Sequence, residues 1–323
     1  MLLAGDIGGT KTNLALFEVE GELEPQVELT YKSRDYPNLK AVVAEFLSDT
    51  KASVDRAIFG VAGPVSDGKS TTTNLPWVIS EETLKESMGV EKVKLLNDLE
   101  STAYGVLHLK EDDLYTLNDE RPRSGTKAVI APGTGLGEAV IFFREGHYHV
   151  LPSEGGHTDF GPNNLFEIEL LRYLLGKFGH VSYERICSGR GIPHIYEYLK
   201  VNHYADELPE VAEALRKARD PTPVIVEKAM EGVCELSIAT LNAFVSILGA
   251  EAGNLVLKVM AMGGVYVGGG IPPRILSKLK DGTFMASFVN KGRFADTLSH
   301  VPVHIILNPK TALLGAAAYG QGM

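Results

Sequence analysis

The chain has 323 residues, 44% hydrophobic and 22% charged, with a formal net charge of −10. That length suits two domains of ordinary size, each with its own core. The acidic balance excludes an extended footprint for nucleic acid, so an anionic ligand must be gripped by backbone N–H groups, a metal ion or a few cations. From the N-terminus, residues 2–6 read as a buried strand that passes through Gly8-Gly9-Thr10 into a second strand over 13–19. Residues 26–32, with Val27, Leu29 and Tyr31 alternating, read as a third strand, and apolar residues at helical spacing predict a helix over 39–47. A buried strand over 56–61 ends at Gly63-Pro64, and Ser80 stands where it can cap a short helix opened by Glu81-Glu82. A strand over 93–96 delivers Asn97-Asp98 at its C-terminal end, where functional residues of open α/β sheets gather.

Polar composition around 109–123 marks a boundary, giving a small α/β domain over 1–110 and a large one over 111–309. A helix within 310–323 is expected to pack back on the first domain. The second domain repeats the plan of the first: strand 127–131, glycine turn, strand 138–143, strand 147–151. Helical periodicity then covers 164–178 and 224–248, a strand ends in Gly268-Gly269-Gly270, Pro272-Pro273 opens a helix, and 311–319 is a last helix. Two cysteines, Cys187 and Cys234, read as reduced thiols. The N-terminus shows no signal-peptide pattern, and no uninterrupted apolar run reaches the roughly 18 residues of a membrane span, so a cytoplasmic chain is expected.

Two glycine-threonine loops carry the strongest chemical signal. The first is Gly5-Asp6-Ile7-Gly8-Gly9-Thr10 and the second Gly133-Thr134-Gly135-Leu136-Gly137. Backbone without Cβ atoms lets successive N–H groups close around a phosphate. The first loop is not a Walker A motif, because Thr10 rather than glycine precedes Lys11-Thr12, and it is not a dinucleotide fingerprint, because a strand follows it. It belongs to a β-hairpin, where Asp6 either caps the turn or orients water on a Mg²⁺ ion, which takes few protein ligands. Asp98 is either a helix cap, with Ser101 and Thr102 exposed beyond it, or the carboxylate that accepts a hydroxyl proton during phosphoryl transfer. Glu154-Gly155-Gly156-His157 is too glycine-rich for a metal-binding helix and on a loop suits sugar hydroxyls. Glu184 is either a partner of these two or a surface acid beside Arg185.

In this order, with Glu184-Arg185-Ile186-Cys187-Ser188-Gly189, Gly268-Gly269-Gly270 and Asn74-Leu75-Pro76-Trp77, the motifs resemble the bacterial glucokinases of the hexokinase and actin-like ATPase superfamily, nearly end to end. The resemblance implies a two-domain α/β fold of actin-like (ribonuclease H-like) type with an interdomain cleft. It implies an ATP- and Mg²⁺-dependent kinase that phosphorylates glucose on its 6-hydroxyl for glycolysis, acting as a homodimer without nucleic-acid or membrane partners. By the same resemblance Asp98 is the general base. Asn97, Glu154, His157 and Glu184 hold glucose hydroxyls, while Gly5 to Thr10, Gly133, Thr134, Gly135, Gly269 and Gly270 contact the nucleotide. Asp6 reaches Mg²⁺ through water. The cysteine-rich zinc motif of the related repressor and kinase group is absent from the sequence, which favours the zinc-free branch, although Lys11-Thr12-Asn13 looks more like the zinc-bearing group. Sister kinases of mannose, fructose or N-acetylhexosamine, and a sugar-sensing regulator, are the competing readings. A regulator needs a DNA-binding segment, and the first strand already begins at residue 2.

Overall fold

The structure, a computed structural model, describes residues 1–72 and 75–323. Asn74 of the Asn-Leu-Pro-Trp segment lies outside the described residues. Contacts divide the chain into two compact units, one of residues 1–113, 150–152 and 308–323, the other of 114–149 and 153–307.

In the first unit, β1 (Leu2–Ile7), β2 (Lys11–Phe17) and β3 (Val27–Lys32) form an antiparallel meander. α1 (Leu39–Thr50) leads to β4 (Arg56–Val61), which runs parallel to β1. Three short strands, β5 (Val65–Ser66), β6 (Lys69–Thr71) and β7 (Val78–Ser80), form a separate small sheet before α2 (Glu81–Met88). β8 (Lys92–Asn97) then pairs in parallel with β4, giving the order β3-β2-β1-β4-β8, and α3 (Asp98–Val106) follows directly. The central strands β1 and β4 read as largely apolar runs because both sheet faces are covered, whereas the edge strand β3 alternates. Leu3, Ile7, Phe59 and Leu95 meet Leu39, Val42 and Phe46 of α1 on one face. Leu2, Ala4, Ile58 and Leu96 meet Leu313, Ala316 and Ala317 on the other.

The second unit repeats this plan. β9 (Leu114–Thr116) is an edge strand; β10 (Lys127–Pro132) turns into β11 (Leu136–Arg144), and β12 (His147–Ser153) follows. α4 (Leu165–Phe178), α5 (Ile192–Val201), α6 (Pro209–Lys217), α7 (Thr222–Met230) and α8 (Glu235–Val259) come next. β13 (Gly264–Val267), the short helices α9 (Leu276–Leu279), α10 (Thr283–Val289) and α11 (Ala295–Ser299), and β14 (Val303–Ile306) complete the unit. The sheet order is β12-β11-β10-β13-β14-β9, with β10 antiparallel to β11 and parallel to β13. The single helix expected over 224–248 is two helices. Gly232 at φ +72° takes a left-handed conformation that ends one, and Cys234 in extended backbone starts the other. α8 is long and apolar enough to cross a membrane by length and composition, but most of it is buried in this unit, as a core helix is.

The chain returns to the first unit as α12 (Thr311–Gln321), which lies against β1 and α3. The helices touch at glycines: a Cβ on Gly315 would stand 1.7 Å from the Ser101 carbonyl oxygen, and one on Gly105 would stand 2.0 Å from that of Thr311. Ser101, expected on the surface, is fully buried and donates to the Ala312 carbonyl at 2.7 Å.

Candidate functional site

In the first unit the acids stand at the C-terminal ends of parallel strands. Asp6 of β1 is level with Gly60 of β4 and Leu96 of β8, and Asp98 follows the last residue of β8. Burial, then the charge of Asp98, push the Asp6 carboxyl up to about 6, against a weak hydrogen bond from Asn13 Nδ2 at 3.5 Å. A buried carboxyl raised by the charge of a second one invites a cation, and hard oxygen donors suit Mg²⁺, which takes one or two carboxylates and completes its shell with water and phosphate. The cap of α3 is Asn97, not Asp98. Its Oδ1 accepts from Leu99 N–H at 2.9 Å and its Nδ2 donates to the Gly63 carbonyl at 3.0 Å. Asp98 is the first helical residue, and its Oδ1 also accepts from Leu99 N–H, at 2.9 Å. The sugar role expected of Asn97 therefore falls on a side chain that already braces the helix start and the 63 loop.

The turn at Gly8-Gly9-Thr10 is held from outside. Ser33 Oγ donates to the Gly8 carbonyl at 2.7 Å, Ser33 N–H donates to the Thr10 carbonyl at 3.1 Å, and Thr12 Oγ1 meets Ser33 Oγ at 3.0 Å. Among the described residues the N–H groups of Gly9 and Thr10 find no acceptor, which leaves them for a ligand. Gly5 and Ile7 do not join them. Ile7 is core, and a Cβ on Gly5 would stand 2.6 Å from Phe59 and 2.9 Å from Leu14. Sheet packing, rather than phosphate, requires the first glycine of the motif.

In the second unit, Gly133 N–H bonds back to the Gly135 carbonyl at 2.8 Å, and Gly189 N–H donates to the Gly133 carbonyl at 2.7 Å. Glu184 is not a solvated acid beside Arg185: its Oε2 accepts from Leu136 N–H at 3.1 Å and lies so close to Gly135 that a Cβ there would stand 2.4 Å away. Gly269, at φ +85°, brings its backbone against the Pro132 carbonyl, 2.4 Å from a Cβ built on it. A cavity of about 460 Å³ opens beside these loops, lined by Gly133, Thr134, Gly189, Gly270 and residues of 220–230 and 271–274. Its volume is that of a small-molecule site. Glu154 and His157 flank a single 3₁₀ turn, Gly155–His157, with His157 Nε2 at 3.8 Å from Glu154 Oε2 and both side chains exposed. The turn needs both glycines: a Cβ on Gly155 would stand 2.0 Å from Glu138 Oε2, and one on Gly156 would stand 2.1 Å from the Leu136 carbonyl oxygen. Leu136 therefore touches both Glu184 and the Glu154–His157 turn.

A family model for glucokinase matches residues 3–323. The chain belongs to the glucokinase family. The glucokinase of Trichormus variabilis is 41% identical over 336 residues, spanning 98% of each chain, and that of Caulobacter vibrioides is 40% identical, spanning 98% of this chain and 93% of its own. A crystal structure of a glucokinase from an Antarctic psychrotroph superposes with a TM-score of 0.86 at 31% identity, covering 100% of this chain and 99% of that one. A Balamuthia mandrillaris glucokinase solved with glucose shares the fold, with a TM-score of 0.82 at 24% identity, 100% of this chain and 93% of that one being covered. As a glucokinase, the chain is an ATP-dependent hexose kinase that transfers the γ-phosphoryl group to glucose, on the α/β fold of actin-like sugar kinases.

Within the glucokinase fold the glycine motifs divide. Gly133, Thr134 and Gly270 line the cavity, whereas Gly135 and Gly269 shape the backbone beside it. Sequence reasoning missed Asp220, Thr222, Val226, Met230 and Arg274, which line the same cavity. Asp220-Pro221-Thr222-Pro223 was the available signal, an Asp and prolines at a helix start. Here Asp220 Oδ1 accepts from Thr222 N–H at 3.0 Å, and Thr222 Oγ1 donates to the Gly189 carbonyl.

Proposed function

We propose that Asp98 is the general base on the glucose 6-hydroxyl, with Glu154, His157 and Glu184 holding the other hydroxyls. The observation that carries this is the siting of Asp98, one residue past β8 and next to a second carboxyl, Asp6, in a unit whose glycine turn keeps two N–H donors unused. The 6-hydroxyl oxygen attacks the γ-phosphorus, its proton passes to Asp98, and ADP leaves. The adenosine fits the 460 Å³ cavity of the second unit, and the two glycine loops meet phosphate oxygens. Mg²⁺ held through Asp6 would supply charge neutralisation of the β- and γ-phosphates. Asn97 supports the site by fixing the start of α3.

The family relationship supports a cytoplasmic enzyme that feeds glycolysis as a homodimer, and exposed Leu165, Ile168 and Leu175 on α4 give such a dimer an apolar surface. Light scattering reads the assembly. A panel of hexoses with ATP and Mg²⁺, followed by ADP release, tests the acceptor: glucose is expected to give the highest kcat/KM, and a faster reaction with mannose, fructose or N-acetylglucosamine would overturn that choice. His157→Ala is expected to raise the glucose KM about tenfold with little change in the ATP KM, since a lost bond to a bound hydroxyl costs on the order of 1 kcal/mol.

A further inference from the structure

Beneath the Glu154–His157 turn lies a carboxyl for which phosphoryl transfer has no use. Glu138 of β11, opposite Ile130 of β10, is 1% exposed, and its Oε1 has no hydrogen-bond partner among the described residues. Its Oε2 fills the space a side chain at position 155 would take, with Ser153 Oγ 3.2 Å from the same point. Gly156 rests on the Leu136 carbonyl of the same strand, and Leu136 N–H is bonded to Glu184. Two residues of β11, Leu136 and Glu138, thus seat every sugar-binding candidate of this unit.

The surroundings of Glu138 are acidic. Glu251 of α8 is fully buried, and its carboxylate takes Lys258 Nζ at 2.9 Å and Asn254 Nδ2 at 2.8 Å. Tyr183, which precedes Glu184, hydrogen-bonds to Asn254 through its hydroxyl at 3.0 Å. Cys187 and Glu167 of α4 belong to the same group of interacting charges, and Lys291 faces Glu251 and Glu167. The turn above adds Glu154 and His157. With Lys258 engaged by Glu251, an ionised Glu138 would have no counter-ion of its own, and an uncompensated buried charge is expensive. Burial, then the charge of Glu251, push its carboxyl up to about 7, against the opposing pull of Lys258.

We propose that Glu138 is a positioning residue for sugar recognition: as the neutral acid it seats the Glu154–His157 turn on β11, and its ionisation loosens that seat and weakens glucose binding. The inference rests on the assignment of Glu154 and His157 to glucose hydroxyls. The test is kcat and the glucose KM at saturating ATP, from about pH 6 to about pH 8.5, for wild type, Glu138→Gln, Glu251→Gln and His157→Ala. The wild-type KM is expected to rise about three- to tenfold with pH while kcat moves much less, a binding effect of up to about one pKa unit of coupling. Glu138→Gln, which mimics the neutral acid, should keep the low-pH KM and flatten the rise. Glu251→Gln removes the like charge and should move the rise to lower pH. A wild-type KM that is flat with pH, a Glu138→Gln enzyme that keeps the whole rise, or a Glu251→Gln enzyme whose rise stays in place or moves to higher pH would overturn the proposal. If His157→Ala leaves the glucose KM unchanged, the underlying site assignment fails instead. If His157→Ala raises KM and Glu138→Gln behaves as wild type across the pH range, only the role of Glu138 fails.

Discussion

The two sheets follow one plan and differ in what they place at its ends. Each contains a hairpin whose first strand is antiparallel to the second and parallel to a later strand. In the first unit the parallel strands end in acids, Asp6 on β1 and Asp98 just past β8, with the hairpin turn pinned by Ser33. In the second they end in glycines and a cavity, with the turn pinned by Glu184 and Gly189. Topology fixes where a site forms, at the C-terminal ends of the parallel strands. The residues there decide whether it moves a proton or cradles a nucleotide.

Asp98→Asn gives the sharpest break between the units. It should lower kcat by about 10²–10⁴-fold in a coupled ADP assay, the usual worth of a general base. Turnover near that of wild type would strip the first unit of its chemical role. Next in size is the glycine contact of α3 with α12. Gly315→Val drives a side chain into the Ser101 carbonyl, 1.7 Å from the Cβ position, and should destabilise the protein by about 3 kcal/mol in urea unfolding. Gly270→Ala, with no atom within 4 Å of its Cβ position, should leave stability unchanged while raising the ATP KM. Glu184→Ala should raise the KM values of both ATP and glucose about tenfold, because it frees the loop N–H at Leu136 as well as a sugar partner. Ser33→Ala, its counterpart in the first unit, should change the ATP KM alone.

The smallest effect is on stability against pH. Glu138 has an ordinary value of 4.5 and a folded value of about 7, so the folded state holds the extra proton between them. Wild-type stability is therefore greatest below about 4.5 on this account and declines as pH rises to about 7. Glu138→Gln lacks that decline, so its melting temperature should gain on wild type by a few degrees between about pH 5 and about pH 8. A gain in the opposite direction would mean that Glu138 is ionised in the folded protein at low pH.

Most of the sheet was legible because β1, β4 and β10 are buried on both faces, which writes them as largely apolar runs, and because β8, though it carries Lys92 and Lys94, ends in Asn-Asp. The division of 224–248 was not legible, since apolar spacing runs straight through Gly232 and only its left-handed backbone reveals the stop. Asn97 and Asp98 are both good caps, so local propensity could not say which one the helix uses. The cavity lining was hidden because it gathers positions 133, 189, 220–230 and 270–274, which no short motif spans. Glu138 was visible only as one acid in an apolar strand, and its burial and the acid facing it depend on where α8 runs.

The return of α12 to the first unit has a consequence for synthesis. Leu313, Ala316 and Ala317 cover a face formed by Leu2, Ala4, Ile58 and Leu96, yet they leave the ribosome only after the whole of 114–307. A nascent chain of residues 1–113 carries that apolar face bare, and closing it is a contact between distant parts of the chain, the slow kind. The unit translated first is thus completed last. A fragment of residues 1–113 should be cut by protease far faster than the same residues in the full chain, and adding 308–323 on a linker should restore much of the protection.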